Sequence, residues 1–126
     1  MTNYFTCWII SDVERNKLME IFPAEFPDVI AHHVTREFGV QEDCPLPTET
    51  EGFIVGSVSD RERVQALVVE VGNTTQRPDG RTYHLTWSIN RSLGAKPVMS
   101  NALLSGQSWD ACERVSLSLQ PRIFKN

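Results

Sequence analysis

The sequence predicts an α+β domain built mostly from antiparallel strands, and three observations support this prediction. Aromatic and β-branched runs recur between turn signals, which is typical of strands. Only one segment near the N-terminus has the apolar spacing of a helix over more than one turn. Two strand-like runs carry the same pattern, a histidine two residues before a threonine, about half a domain apart: His33 with Thr35, and His84 with Thr86. We therefore expect two structurally similar halves in a single domain over residues 1–126.

The first half is expected to contain a buried strand, a helix and the first histidine strand. Residues 4–10 are aromatic and β-branched, as in a buried strand. Ser11 and Glu14 have the spacing of a capping box, and Pro23 is expected to end the helix that follows. The run over 29–38 carries the first His-Thr pair. In the second half we predict a hairpin of 53–58 with 64–71, a turn over 72–81 and the second histidine strand over 83–90. One helical turn over 100–104 and a half-exposed final strand over 115–119 are expected to follow.

Composition restricts the classes of partner. The formal net charge is −4, with 12 Lys and Arg against 16 Asp and Glu. Affinity for long duplex nucleic acid depends on many cationic contacts, so this balance argues against such a partner. No apolar run approaches the roughly 20 residues of a membrane span, and the N-terminus lacks a secretory pattern. Cys7, Cys44 and Cys112 are odd in number and widely spaced, which indicates reduced thiols and a cytoplasmic protein.

The two His-Thr pairs predict an acid–base site. Residues i and i+2 of a strand point to the same face, so each strand presents an imidazole beside a hydroxyl. Two such strands close together would supply a proton acceptor, a proton donor and two hydroxyls to one anion. We therefore predict His33, Thr35, His84 and Thr86 as catalytic residues that need neither a metal nor another cofactor.

The histidines also have alternative interpretations, as structural residues or as zinc ligands. A single histidine in a strand is more often structural, and only the repetition of the pattern favours catalysis. His32 precedes His33 and would point to the opposite face, so a core or hydrogen-bonding role is expected for it. A zinc site would need a pair such as Cys-x-x-Cys or His-x-x-x-His, and the sequence contains neither.

Substrate-binding candidates come from the aromatic and basic residues. Tyr4 and Trp8 share one face of the first strand and are candidates to stack on a base, with core packing as the alternative. Arg77, Arg81 and Lys96 lie in predicted turns, where such side chains are usually only solvated. One of them is expected to neutralise a bound phosphate, since a site that holds an anion without a metal benefits from a cation.

At these motifs the sequence resembles the two-histidine phosphoesterase superfamily, and within it a compact RNA-repair-like branch. The resemblance covers most of the chain in the order and spacing of its segments, which include AHHVT, RPDG, HLTWS and KPVMSN, the last containing Ser100. It implies a pseudo-symmetric, two-lobed domain with antiparallel sheets, and it implies that both His-x-Thr motifs are catalytic. We add Ser100 to the substrate-binding candidates on this basis. Members of the superfamily typically hydrolyse 2′,3′-cyclic phosphates or related phosphodiesters, or join RNA ends, without metal.

The sequence thus predicts a phosphodiesterase that acts on the 2′,3′-cyclic phosphate of a small nucleotide or RNA terminus. Two alternatives remain open: a hydrolase of cyclic oligonucleotide messengers, and a non-catalytic module of the same fold that binds nucleotides or RNA ends. No membrane partner is expected. The sequence does not decide which histidine is the base, whether the reaction is hydrolysis or ligation, or the oligomeric state.

Overall fold

Antiparallel strands make up most of the computed structural model of the protein, which describes residues 3–106 and 108–126. It is a small mixed α+β domain, as the sequence predicts. In the described residues the strands are β1 (Tyr4–Ile9), β2 (Asp28–Val29), β3 (His33–Val40), β4 (Glu51–Ser59), β5 (Val64–Glu70), β6 (His84–Ile89), β7 (Asp110–Ser118) and β8 (Gln120–Lys125). The helices are α1 (Asp12–Ile21) and α2 (Met99–Gly106), with a 3₁₀ turn at Arg91–Leu93.

The sheet order places the two histidine strands side by side. The strands run β7-β4-β5-β6-β3-β1-β8, and the short β2 pairs with β6 beside β3. Strands β3 and β6 therefore meet in the middle of the sheet. They are joined at one residue pair, Val34 opposite Leu85. Both side chains are fully buried, so apolar packing stabilises this short junction.

Local signals behave as expected in the first helix and the central hairpin. The hydroxyl of Ser11 accepts a hydrogen bond from the backbone N–H of Glu14, which confirms the N-cap of α1. Helix α1 ends at Ile21, two residues before Pro23. Strands β4 and β5 form the predicted hairpin. No helix in the described ranges is long and apolar enough to cross a membrane.

Two aromatic side chains anchor the main core. Trp8 and Trp87 are fully buried in one apolar cluster with Leu18 of α1. The Trp87 indole donates a hydrogen bond to the carbonyl of Phe22, which fastens the end of α1 to β6. Trp87 is therefore a core residue, because its position next to Thr86 turns it to the opposite face of β6. A smaller apolar cluster lies next to α2 and contains Val64, Ile89 and Ala95, with Ile30, Met99 and Leu103 packed against it.

The chain departs from the predicted elements in three places, of which one is that helix α2 spans Met99–Gly106 where one helical turn over 100–104 is predicted. The run over 29–38 is not one strand, because Ala31 has a φ of +42° and separates β2 from β3. The prediction that His32 lies in the strand and points away from His33 is therefore wrong. The final strand is also longer than predicted, and an eighth strand, β8, follows it and pairs with β1. Polar and charged residues alternate irregularly along β8, so its sequence has no clear strand pattern.

Candidate active site

A pocket of about 160 Å³ opens at the middle of the sheet, where β3 and β6 meet. All four residues of the two His-Thr pairs line it. The remaining lining comes from the segment before β3, the end of β3, the turn before β6 and the start of α2: Ile30, Phe38, Arg77, Pro97, Val98 and Asn101. The sequence-predicted quartet thus lies together, on one face of the sheet.

His84 has a defined tautomer when it is neutral. Its Nδ1 lies 2.9 Å from the carbonyl oxygen of Thr82, which can only accept, so Nδ1 carries the hydrogen. The other ring nitrogen, Nε2, then has a free lone pair. Burial lowers the pKa of His84, the hydrogen bond to Thr82 opposes this, and the positive charge of Arg77 lowers the pKa further. His84 is consequently a neutral imidazole with a free Nε2 at neutral pH.

His33 is held in a less polar setting. Its ring lies 5.7 Å from the ring of Phe5, centroid to centroid. Burial, and after it the positive charges that His32 and His84 carry when protonated, together lower the pKa of His33 to about 4. The effect of His84 on the pKa of His33 shows that the two rings lie close enough for their charges to interact. Both rings are therefore neutral at pH 7 in the free protein.

The two threonines are not equivalent. The Thr86 hydroxyl lies 2.8 Å from the Ser100 hydroxyl and donates to the carbonyl of Pro97 at 3.2 Å. It is therefore already engaged, and it fastens the start of α2 to β6. Within the described part of the chain, nothing accepts from or donates to the hydroxyl of Thr35, which faces the pocket. Thr35 is free to donate to a ligand, whereas Thr86 is part of the pocket wall.

Valine at these two positions should consequently have different effects on stability. We expect Thr86→Val to lower the free energy of unfolding by about 1–3 kcal/mol, because it leaves the buried Ser100 hydroxyl and the Pro97 carbonyl without their partner. Thr35→Val should leave the free energy of unfolding nearly unchanged, because the hydroxyl that it removes has no hydrogen-bond partner within the described residues. Thermal melts of both variants measure this difference. Equal melting temperatures would contradict the assigned hydrogen bonds of Thr86.

Arg77 supplies a buried positive charge to the pocket. Only 3% of the residue is exposed, and one guanidinium nitrogen lies 2.5 Å from the carboxylate of Asp79. The Arg77 guanidinium also lies 5.6 Å from the centre of the Phe38 ring. Its Nε is buried without a hydrogen-bond partner in the described residues. A buried cation with an unpaired donor beside a cavity is suited to an anionic ligand.

The other predicted binding residues do not line this pocket. Trp8 is fully buried and its indole donates to the carbonyl of Glu49, so the alternative interpretation, core packing, holds. Ser100 is fully buried beneath Thr86 and contacts the pocket only through it. Three more lie outside it: Tyr4 beside the carboxylate of Glu42, Arg81 at a neighbouring pocket that shares Asn101 with this one, and Lys96 in solvent.

Sequence reasoning missed two residues that line the pocket, Phe38 and Asn101. Strict alternation from His33 would turn Phe38 to the other face, but a bulge at Arg36 shifts the register. Phe38 therefore lies opposite Phe5 on the face of the pocket, and 41% of it is exposed. The Asn101 side-chain oxygen is buried without a hydrogen-bond partner in the described residues. Asn101 is the last residue of the KPVMSN segment, but nothing in that segment distinguished it as a residue of the pocket.

The pocket can transfer protons next to a bound anion. It contains two neutral imidazoles, one free hydroxyl and one buried guanidinium, which suit proton exchange and anion binding. In residues 3–106 and 108–126, no three side chains of His, Cys, Asp or Glu are grouped to hold a metal ion. Comparison of the chain with models of protein families, with curated proteins and with solved structures found no match.

Proposed function

We propose that the protein is a metal-independent phosphodiesterase that opens a 2′,3′-cyclic phosphate on a nucleotide or RNA end. The observation that carries this proposal is the meeting of His33 and His84, from adjacent strands, in one pocket with the buried Arg77. We also propose that the fold is a pseudo-symmetric, two-histidine phosphoesterase-like domain with β3 and β6 at its centre. The resemblance of the two His-x-Thr motifs to those of the two-histidine phosphoesterase superfamily supports both proposals.

The residues can be assigned to the steps of the reaction. Hydrolysis needs a water to lose a proton on one side of phosphorus and an alkoxide to gain one on the other. His84 has a free Nε2 to accept the first proton. Thr35 and Arg77 are placed to donate hydrogen bonds to the non-bridging oxygens, where negative charge accumulates. The bound anion raises the pKa of the nearby imidazoles, so His33 can hold a proton in the complex.

The aromatic edge of the pocket supports a nucleotide as the substrate. Phe38 is exposed at the pocket beside Arg77, with Phe5 behind it. A base can stack on an aromatic side chain while the cation holds the phosphate. The net negative charge of the chain favours a short ligand that meets a few local cations over long duplex nucleic acid.

The test is an assay of the purified protein in EDTA against 2′,3′-cyclic nucleotides, 3′,5′-cyclic nucleotides, RNA ending in a 2′,3′-cyclic phosphate, and cyclic dinucleotides. We expect ring opening of 2′,3′-cyclic phosphates, with one oxygen-18 atom incorporated from labelled water, detected by mass spectrometry. The double variant His33→Ala/His84→Ala serves as the control for contaminating activity. No turnover of any substrate, or activity that disappears in EDTA and returns with a divalent metal, would overturn the proposal.

A further inference from the structure

The third histidine, His32, is hydrogen-bonded to the pocket histidine. The Nδ1 atoms of His32 and His33 lie 2.9 Å apart, and the two rings meet edge to face with centroids 5.1 Å apart. The positive φ of Ala31 makes this contact possible, because it takes His32 out of the strand. His32 is exposed, whereas its neighbour is half-buried. Two imidazole nitrogens form a hydrogen bond only when one carries a proton and the other does not, so this pair shares a proton.

The surroundings decide where a positive charge on this pair resides. His84 on β6 acts on the charge of His33, and Arg77 in the turn before β6 acts in turn on His84. Both groups are cationic or become so, and the rings that contact the pair from β1 and β8 are the apolar rings of Phe5 and Phe124. Within the described residues, no carboxylate contributes to the pKa of His33 or of His84. Charge on the buried ring is therefore costly, and hydration favours charge on the exposed ring of His32.

The hydrogen bond of His84 to Thr82 indicates which histidine is the base and which is the acid. Because Nδ1 of His84 donates to the Thr82 carbonyl, its Nε2 is unprotonated and suits a base. The reaction then needs an acid on the other side, and His33 must present Nε2–H to the leaving oxygen. It does so when its own Nδ1 accepts from Nδ1–H of His32.

We propose that His32 is a positioning residue that holds a proton at the surface and passes it through His33 to the leaving group. The inference rests on the proposed function and assigns His33 as the acid and His84 as the base. In the step, the P–O bond breaks and the leaving oxygen takes the proton on Nε2 of His33. The proton on Nδ1 of His32 moves to Nδ1 of His33, and the cationic pair becomes neutral. Water loses its proton to Nε2 of His84 as its oxygen bonds to phosphorus.

The kinetic test compares two leaving groups in the variant His32→Asn. Asparagine keeps a hydrogen-bond donor but cannot carry the extra proton. On a 2′,3′-cyclic nucleotide, whose leaving alkoxide needs a proton, we expect kcat to fall about 10- to 100-fold. The rate on a nucleoside 4-nitrophenyl phosphodiester should stay near wild type, since nitrophenolate leaves unprotonated. His84→Asn should slow both substrates. Equal losses on both substrates in His32→Asn, or none on either, would overturn the inference.

The inference also predicts the direction in which the pH profile of His32→Asn shifts. The acid must be protonated, so kcat/KM on the cyclic nucleotide falls as pH rises through the pKa of the His32–His33 pair. Without His32 the proton must reside on His33 alone, whose pKa is lowered by burial, so we expect this alkaline limb to move to lower pH. A limb at the wild-type position would show that His32 has only a structural role.

Nitrogen-15 NMR of the imidazoles tests the inference without substrate. Neutral His33 should be the Nε2–H tautomer in the wild type, and neutral His84 the Nδ1–H tautomer. An Nδ1–H tautomer at His33 would overturn the proton relay whatever the kinetics show. If the wild type opens no phosphodiester, the proposed function fails, and the tautomer measurement still decides whether His32 donates to His33.

Discussion

Alanine in place of His33 or of His84 is expected to lower the rate of cyclic phosphate opening by about 10²–10⁴-fold, the usual contribution of general acid–base catalysis. Each imidazole is assigned one proton transfer, and the other titratable side chains among the described residues that line the pocket are the second imidazole, which has its own role, and Arg77. The measurement is kcat and kcat/KM on a 2′,3′-cyclic nucleotide, beside a thermal melt of each variant.

The double variant His33→Ala/His84→Ala tests whether the two histidines act together in one step or contribute independently to the rate. Because acid and base act in one transition state, removing both should cost little more than removing either one. Losses that multiply in the double variant would contradict paired acid–base catalysis. His32→Ala is the matched control on the neighbouring residue. It should keep more activity than His33→Ala, and equal losses at the two positions would count against His33 as the group that contacts the substrate.

The shared face of the two residues within each histidine motif could be predicted because it depends on a local pattern. The i, i+2 spacing determines that His33 and Thr35, and likewise His84 and Thr86, share a face. The cap at Ser11 is equally local. That β3 and β6 are neighbours did not follow from strand periodicity alone, and the resemblance of the motifs supplied it as an expectation.

What the sequence did not predict depends on contacts between distant residues. The backbone of Ala31 is held in its unusual conformation by its N–H donating to the Thr86 carbonyl and by its own carbonyl accepting from Arg15. Neither partner is near Ala31 in sequence, so the break before His33 and the exposure of His32 had no local signal. The engaged hydroxyl of Thr86 likewise depends on Ser100, on another element.

Arg77 and Arg81 illustrate the same limit within one turn. Both arginines lie four residues apart in a segment that predicts only a reversal, and the backbone N–H of Arg77 donates to the carbonyl of Arg81. One side chain is buried beside the pocket and the other is exposed. Nothing in the local composition separates them, because the difference arises from the position of Phe38 on β3 and of Asp79 in the turn.

Glutamine in place of Arg77 is therefore expected to lower kcat/KM on a 2′,3′-cyclic nucleotide by about 10²–10³-fold, comparable to the loss of an oxyanion donor. The change removes the cation that faces the bound phosphate but keeps polar groups in the turn. It should also raise the pKa of His84, because the charge of Arg77 lowers it in the wild type. The base must be unprotonated, so the acidic limb of the pH profile should move to higher pH.

Arg81→Gln is the matched control, since it removes the same charge from the same turn at an exposed position. We expect it to leave kcat/KM within about threefold of the wild type, because an exposed charge is screened by solvent and salt. Thermal melts separate catalysis from folding: Arg77→Gln also frees Asp79, which loses its buried partner. If Arg77→Gln is folded at the assay temperature and both arginine variants turn over alike, with the same acidic limb, then Arg77 does not bind the phosphate and its burial serves the turn alone.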